Sequence, residues 1–192
     1  KMVGKTEVAL YGLAYSIGML VQLFISGMNS ALTPWMYSKI KKGDIRSMRK
    51  VLQLLGIVVV GIAVALMLIS PELVLIFGSP KYREAVYVIP PVAASVFFIF
   101  IYNILSMPQF YYEKTQFLMA ASMAAAGANV VLNFIFIRLF GYIAAGYTTL
   151  ACYMLYSVGH YIVSKQILVN EGIQENLMNP GFLLACSVFL IG

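Results

Sequence analysis

Residues 85–106 read AVYVIPPVAASVFFIFIYNILS, 22 consecutive positions without Asp, Glu, Lys or Arg. A helix needs about 20 such residues to cross a hydrocarbon core roughly 30 Å thick. Four more uncharged runs of 20 to 22 residues flank it, at 8–28, 51–70, 117–137 and 142–163. A sixth apolar run begins at 181 and has only 12 residues before the sequence stops at Gly192. The pattern predicts an all-α, polytopic helical membrane protein, with spans near 7–34, 47–77, 84–112, 115–138, 141–165 and a truncated one at 180–192. Composition agrees: 61% of the residues are hydrophobic and 10% charged, too few polar groups to cover a soluble domain but well suited to lipid.

The chain opens on Lys1 with no basic segment and cleavage site behind it, so residues 1–192 are expected to be a piece of a longer, transporter-sized protein. The net charge of +6 does not indicate a nucleic-acid surface, because the basic residues lie around the spans rather than along one soluble face. Lys39, Lys41, Lys42, Arg46, Arg49 and Lys50 share one loop with a single acid, Asp44. The positive-inside rule puts that loop in the cytoplasm. Alternation then gives eight basic residues inside and five outside, Lys1, Lys5, Lys81, Arg83 and Arg138, and the first helix runs from outside to inside.

Proline placement sets the expected ends. The first helix should fade at Thr33-Pro34, since the residue before Pro is pushed from helical torsions. Pro90-Pro91 suit the first turns of the third helix, and Pro108 suits a kink near its inner end. The small residues of 120–128 on the fourth helix, facing Gly141, Ala145, Thr149 and Cys152 on the fifth, predict a close antiparallel pair.

Two polar stripes carry the functional expectation. Tyr11, Tyr15, Gln22, Ser26 and Asn29 are spaced 4, 7, 4 and 3, within an arc of roughly 60° at about 100° per residue. Ser95, Tyr102, Ser106 and Gln109 repeat the arrangement on the third helix, with Asn103 to one side. Any one of them is as well explained by a hydrogen bond between helices, about 0.6 kcal/mol a pair. Together, the stripes predict opposite walls of one substrate cavity.

Other polar residues have plainer readings. Asn129 and Asn133 suit an interhelical hydrogen-bond clamp, and Arg138 suits a snorkelling anchor. His160, the only histidine, has no carboxylate or second His in sequence reach, so neither a metal site nor a catalytic triad is expected. Cys152 and Cys186 read as small buried residues rather than a disulfide. No cofactor is indicated.

The stretch 110–115 (FYYEKT), the segment 129–133 and the run 140–149 (FGYIAAGYTT) resemble the second half of bacterial polysaccharide and O-antigen flippases. The opening Val3-Gly4 and residues 7–11 are similar to the segment after the seventh helix of that family. The resemblance implies membership in the multidrug/oligosaccharidyl-lipid/polysaccharide exporter superfamily, with twelve to fourteen helices in two pseudo-symmetric lobes around a central cavity. It implies alternating access in the inner (cytoplasmic) membrane, moving an undecaprenyl-pyrophosphate-linked oligosaccharide for surface polysaccharide or lipopolysaccharide biosynthesis. Implied partners are that lipid-linked oligosaccharide, membrane lipid and a coupling ion, H+ or Na+. The first and third helices would be the eighth and tenth of the whole, which line the cavity in that architecture.

One departure is that neither stripe carries Arg or Lys for a pyrophosphate, nor Asp or Glu for a coupling ion. A multidrug/cation antiporter of the same superfamily would want an acid in the cavity. An integral-membrane enzyme of polysaccharide assembly would want carboxylates or an Arg/His cluster in a large outer loop, and the outer loops are short.

Overall fold

The computed structural model describes residues 4–192, so Lys1, counted above among the outer charges, and Val3 of the opening motif lie outside the described residues. Seven α-helices and one 3-10 helix follow one another, with no strand among the described residues. They are α1 (Lys5–Lys41), α2 (Ile45–Leu68), α3 (Ser70–Phe77), a 3-10 helix (Pro80–Tyr87), α4 (Ile89–Tyr111), α5 (Gln116–Phe140), α6 (Ala144–Asn170) and α7 (Pro180–Ile191). The protein is an all-α membrane protein.

Four helices, α1, α2, α4 and α5, are long and apolar enough to cross a membrane, fewer than the five complete runs read from charge alone. The difference is α6, which has 27 residues but carries Tyr147, Tyr153, Tyr156, His160 and Tyr161, polar-tipped rings that lower its hydropathy. The shorter α7 has 12 residues.

Proline effects differ from expectation in three places. α1 continues through Pro34 to Lys41. An internal proline costs about 3 kcal/mol, yet the segment beyond it buries Met36 and Ile40 completely and sets Tyr37 edge-on to Tyr111 at 5.4 Å. Thr33 Oγ1 donates to the Asn29 carbonyl at 2.8 Å in the preceding turn. Conversely, the expected single span 47–77 is broken at Ile69 by Pro71 at the start of α3, with Ser70 Oγ donating to the Met67 carbonyl at 2.8 Å. The third span begins at Ile89 rather than near 84, because residues 80–87 form the 3-10 helix and Pro90-Pro91 occupy the first helical positions of α4.

α4 is the axis of the bundle, and Phe97, Phe100, Ile104 and Leu105 on it are fully or almost fully buried. They meet Ile25 and Met36 of α1, Met48 and Leu52 of α2, and Leu150 of α6 in the main core. A second cluster at the other end joins Leu10, Ala14 and Ile17 of α1 to Val74, Val88, Ile89 and Ala93. α1 and α4 run parallel, as Gly18 against Val92, Thr33 against Met107 and Tyr37 against Tyr111 all show the same offset.

α5 and α6 form an antiparallel pair joined through Gly141, whose φ of 78° suits a residue without a side chain. Their small residues do not make the uniform close seam expected of them. α5 has no buried residue, and a Cβ added at Gly127 would meet nothing within 4 Å. The close approach on α6 is made to α4 at Gly146, where an added Cβ would come within 2.9 Å of Pro91 Cγ. What joins α5 to α6 is polar: Asn129 Nδ2 donates to Thr149 Oγ1 at 3.3 Å, Asn133 Nδ2 to Asn129 Oδ1 at 2.8 Å, and Thr148 Oγ1 to Asn133 Oδ1 at 2.6 Å. The asparagines thus form the clamp expected of them. Arg138 lies over the Phe134 ring at 3.8 Å, and both cysteines are free.

The basic loop is ordered by its own chemistry. Asp44 pairs with Lys39 and caps α2 through Ser47 N at 3.3 Å. Arg49 donates to the Asn176 carbonyl at 2.7 Å and pairs with Glu175 at 3.2 Å, joining this loop to the α6–α7 connection on the same side of the bundle.

Candidate functional site: a tyrosine-walled cavity

Between α1, α4, α5 and α6 lies a cavity of about 450 Å³. Five tyrosines line it, Tyr11 and Tyr15 from α1, Tyr102 from α4, and Tyr153 and Tyr156 from α6. On α1 a spacing of four stacks Tyr11 on Tyr15, with centroids 6.0 Å apart and planes 18° off parallel. Tyr102 lies parallel to Tyr153 at 6.1 Å and tilted to Tyr156 at 4.8 Å. The remaining wall is small or amide-bearing: Ser122, Ala125, Ala126 and Asn129 of α5, with Thr149 and Cys152 of α6. Ser122 Oγ and Tyr156 Oη share a hydrogen bond of 2.7 Å. No charged side chain is in the lining. A crevice of about 20 Å³ adjoins the cavity at Tyr15, Thr149 and Tyr153, and its lining includes Gln22 and Ser95 with Gly18 and Val92.

The structure therefore brings together Tyr11, Tyr15 and Tyr102 in the cavity, and Gln22 and Ser95 in the crevice. It leaves the other expected residues elsewhere. Ser26 is exposed and Asn29 buried, neither in a lining position. Asn103 donates to the Ile99 carbonyl at 2.8 Å, and Ser106 Oγ to the Asn103 carbonyl at 2.8 Å. Gln109 is fully buried and bonds His160 at 2.7 Å. The α4 stripe is no continuous wall for a simple reason: α4 has neighbours on almost every side, so its inner-end polar groups are consumed by its own backbone and by α6.

Much of the lining comes from α5 and α6, which the two stripes did not include. Thr149, Tyr153, Tyr156 and His160 are spaced 4, 3 and 4, a third stripe of the same period. Small residues around Thr149 and Cys152 drew the reading toward packing, and Ser122 with Asn129 on α5 went the same way.

A cavity with uncharged hydrogen-bonding walls inside a bundle of membrane-crossing helices is an arrangement that suits a membrane transporter. The sequence profile described as MatE matches residues 1–135. The chain belongs to the MatE family, whose members are integral-membrane transporters of the exporter superfamily named above. The match covers α1 to most of α5, and the α6 wall lies beyond it. Comparisons with curated proteins and with solved structures find no match.

Proposed function

We propose that the protein is a flippase that moves an undecaprenyl-pyrophosphate-linked oligosaccharide across the inner (cytoplasmic) membrane by alternating access, in surface polysaccharide biosynthesis. The observation that carries this reading is the wall of five tyrosines with Ser122, Asn129 and Thr149 and no charge. Phenol, hydroxyl and amide groups offer a polyhydroxylated cargo both donors and acceptors, and the rings offer flat apolar faces to sugar C–H groups. Without fixed charge the cargo is held loosely enough to leave. The antiporter alternative calls for an intramembrane carboxylate, and none lines the cavity. In this reading residues 1–192 are most of one lobe, the basic loop faces the cytoplasm, and the second lobe closes the cavity.

The test is made in the full-length protein. Tyr102→Ala and Tyr153→Ala should lower surface glycan by at least about tenfold, equivalent to roughly 1.4 kcal/mol, at unchanged membrane protein level. Cysteine at Ser122 should react with small hydrophilic thiol reagents. Normal export in both variants, or loss of drug resistance in place of glycan, would overturn the reading. Cysteine at Ser47 should be protected from an impermeant reagent outside the cell while cysteine at Ser79 reacts, which checks the orientation.

A further inference from the structure

Directly behind the tyrosine wall lies a buried imidazole that the transport reading has not used. His160 on α6 has no exposed surface. Tyr156 meets its ring at 4.4 Å and 86°, Phe117 of α5 at 5.4 Å and 81°, and Tyr102 of α4 at 6.0 Å. Two of those rings, Tyr102 and Tyr156, line the cavity, so the imidazole sits one ring's thickness from the space where cargo would lie. The titratable groups in ring contact with it are those two phenols. α5 contributes a phenylalanine, and the polar partner from α4 is the carboxamide of Gln109.

The hydrogen bonds define the ring's state. Gln109 Nε2 lies 2.7 Å from His160 Nδ1 and donates to the Leu105 carbonyl at 3.2 Å. An amide nitrogen only donates, so Nδ1 accepts and the ring proton is on Nε2. Both His160 Nε2 and Gln109 Oε1 are buried without a partner, which is costly inside a bundle. A proton arriving at Nδ1 would set donor against donor. The carboxamide would then turn over, bring Oε1 to the new N–H, and release the Leu105 carbonyl. The acceptor that protonation requires is thus already present and unused.

We propose that His160 is a proton-binding site of this transporter, with Gln109 as its carboxamide switch, and that its charge is linked to what fills the tyrosine cavity. A proton there places a cation behind a wall that otherwise has none, and it disturbs a bond that ties α4 to α6. By linkage, an anionic headgroup in the cavity and a proton on His160 strengthen each other's binding, whereas a cationic occupant and the proton oppose each other. The site itself does not depend on the flippase reading, but the sign of the linkage does.

The experiment uses the full-length protein in lipid nanodiscs with 15N-labelled histidine, assigning the resonance by its loss in His160→Gln. As pH is lowered from about 8 to about 4, the signal should pass from the Nε2–H tautomer to the doubly protonated ring, since a fully buried ring charges at lower pH than an exposed one. Gln109→Glu supplies a carboxylate in place of the amide and should move the transition up by about 1 pH unit or more. A resonance that stays neutral throughout in the wild type overturns the proposal, and so does a folded Gln109→Glu protein with an unmoved transition. If Gln109→Glu does not fold, the wild-type titration decides alone. Undecaprenyl pyrophosphate added to the wild type should shift the transition upward. A shift downward, in a protein that still titrates, keeps the linkage and counts against the anionic cargo, whereas no shift at saturating lipid overturns the linkage.

Discussion

α4 and α5 follow each other in the chain, have 23 and 25 residues, and are both apolar enough to cross a membrane, yet most residues of one are buried and none of the other. The difference lies in what each can touch. α4 carries bulky residues all round, such as Phe97, Phe98, Ile101 and Ile104, and three long helices close over them. α5 presents a middle of Ala and Gly, is held along one edge by the asparagine clamp, and leaves its other faces open to lipid or to the rest of the transporter. Hydropathy alone does not separate an axis from an edge. Side-chain volume and neighbours do.

The largest effect should come from removing volume at the axis. Phe100→Ala should cost about 3–5 kcal/mol, the usual range for a fully buried phenylalanine, while Met123→Ala on α5, with 77% of its surface exposed, should stay within about 0.5 kcal/mol. Thermal unfolding in detergent, with each variant at matched purity, measures both. Equal losses would mean that α5 is packed as tightly as α4 in the intact protein.

Glycine substitutions sharpen the same contrast at single-atom scale. A Cβ on Gly18 would collide with Val92 Cγ1, and one on Gly146 would press on Pro91. Each Gly→Ala change there should destabilise by about 1–3 kcal/mol through overpacking. Gly127→Ala on α5 meets open space and should be neutral, or stabilising by up to about 1 kcal/mol through helix propensity. A destabilising Gly127→Ala would reveal a close partner on that face.

These contrasts also show where the sequence is informative. The uncharged runs foretold the helices, and Asn129 with Asn133 foretold the clamp, because both follow from burial costs that act locally. Helical period placed Tyr11, Tyr15 and Tyr102 on polar faces, but period says which residues share a face and not what the face meets. Ser106 and Gln109 share the face of Tyr102, yet they lie deeper, where α6 closes over α4. Pro34 and Pro71 each follow a hydroxylated residue, Thr33 and Ser70. One is carried through its helix and the other breaks it, although both are followed by buried residues, Met36 and Ile40 in one case and Val74 in the other. That outcome depends on tertiary contacts absent from any local window.

The clamp itself should yield a smaller effect. Asn133→Ala removes the acceptor for Thr148 and the donor to Asn129, and interhelical hydrogen bonds in membranes average about 0.6 kcal/mol each. A loss near 1 kcal/mol in thermal unfolding is expected, with α5 rather than α4 becoming more accessible to proteolysis and thiol labelling. If α4 opens equally, the two helices are not independent in the way their burial suggests.

The smallest effect belongs to the loop between α1 and α2, which is held by local bonds rather than by either helix contact. The Lys39 ammonium beside Asp44, followed by the Ser47 hydrogen bond, holds that carboxyl below the usual carboxylate range. Because the folded value lies below the unfolded one, near 3.9, the stabilisation is complete above the unfolded value and is lost as pH falls through the folded one. Asp44→Asn keeps a capping oxygen and removes only the charge. Wild type and variant should therefore differ by a small, constant amount from neutral pH down to about 5, and the difference should vanish at lower pH and shrink in salt, as expected of an exposed pair. Unfolding midpoints measured across that range decide it. A difference that survives both acid and salt would mean that the charge pairing with Lys39 is not what holds this loop, since neither the protonated nor the salt-screened carboxyl retains it.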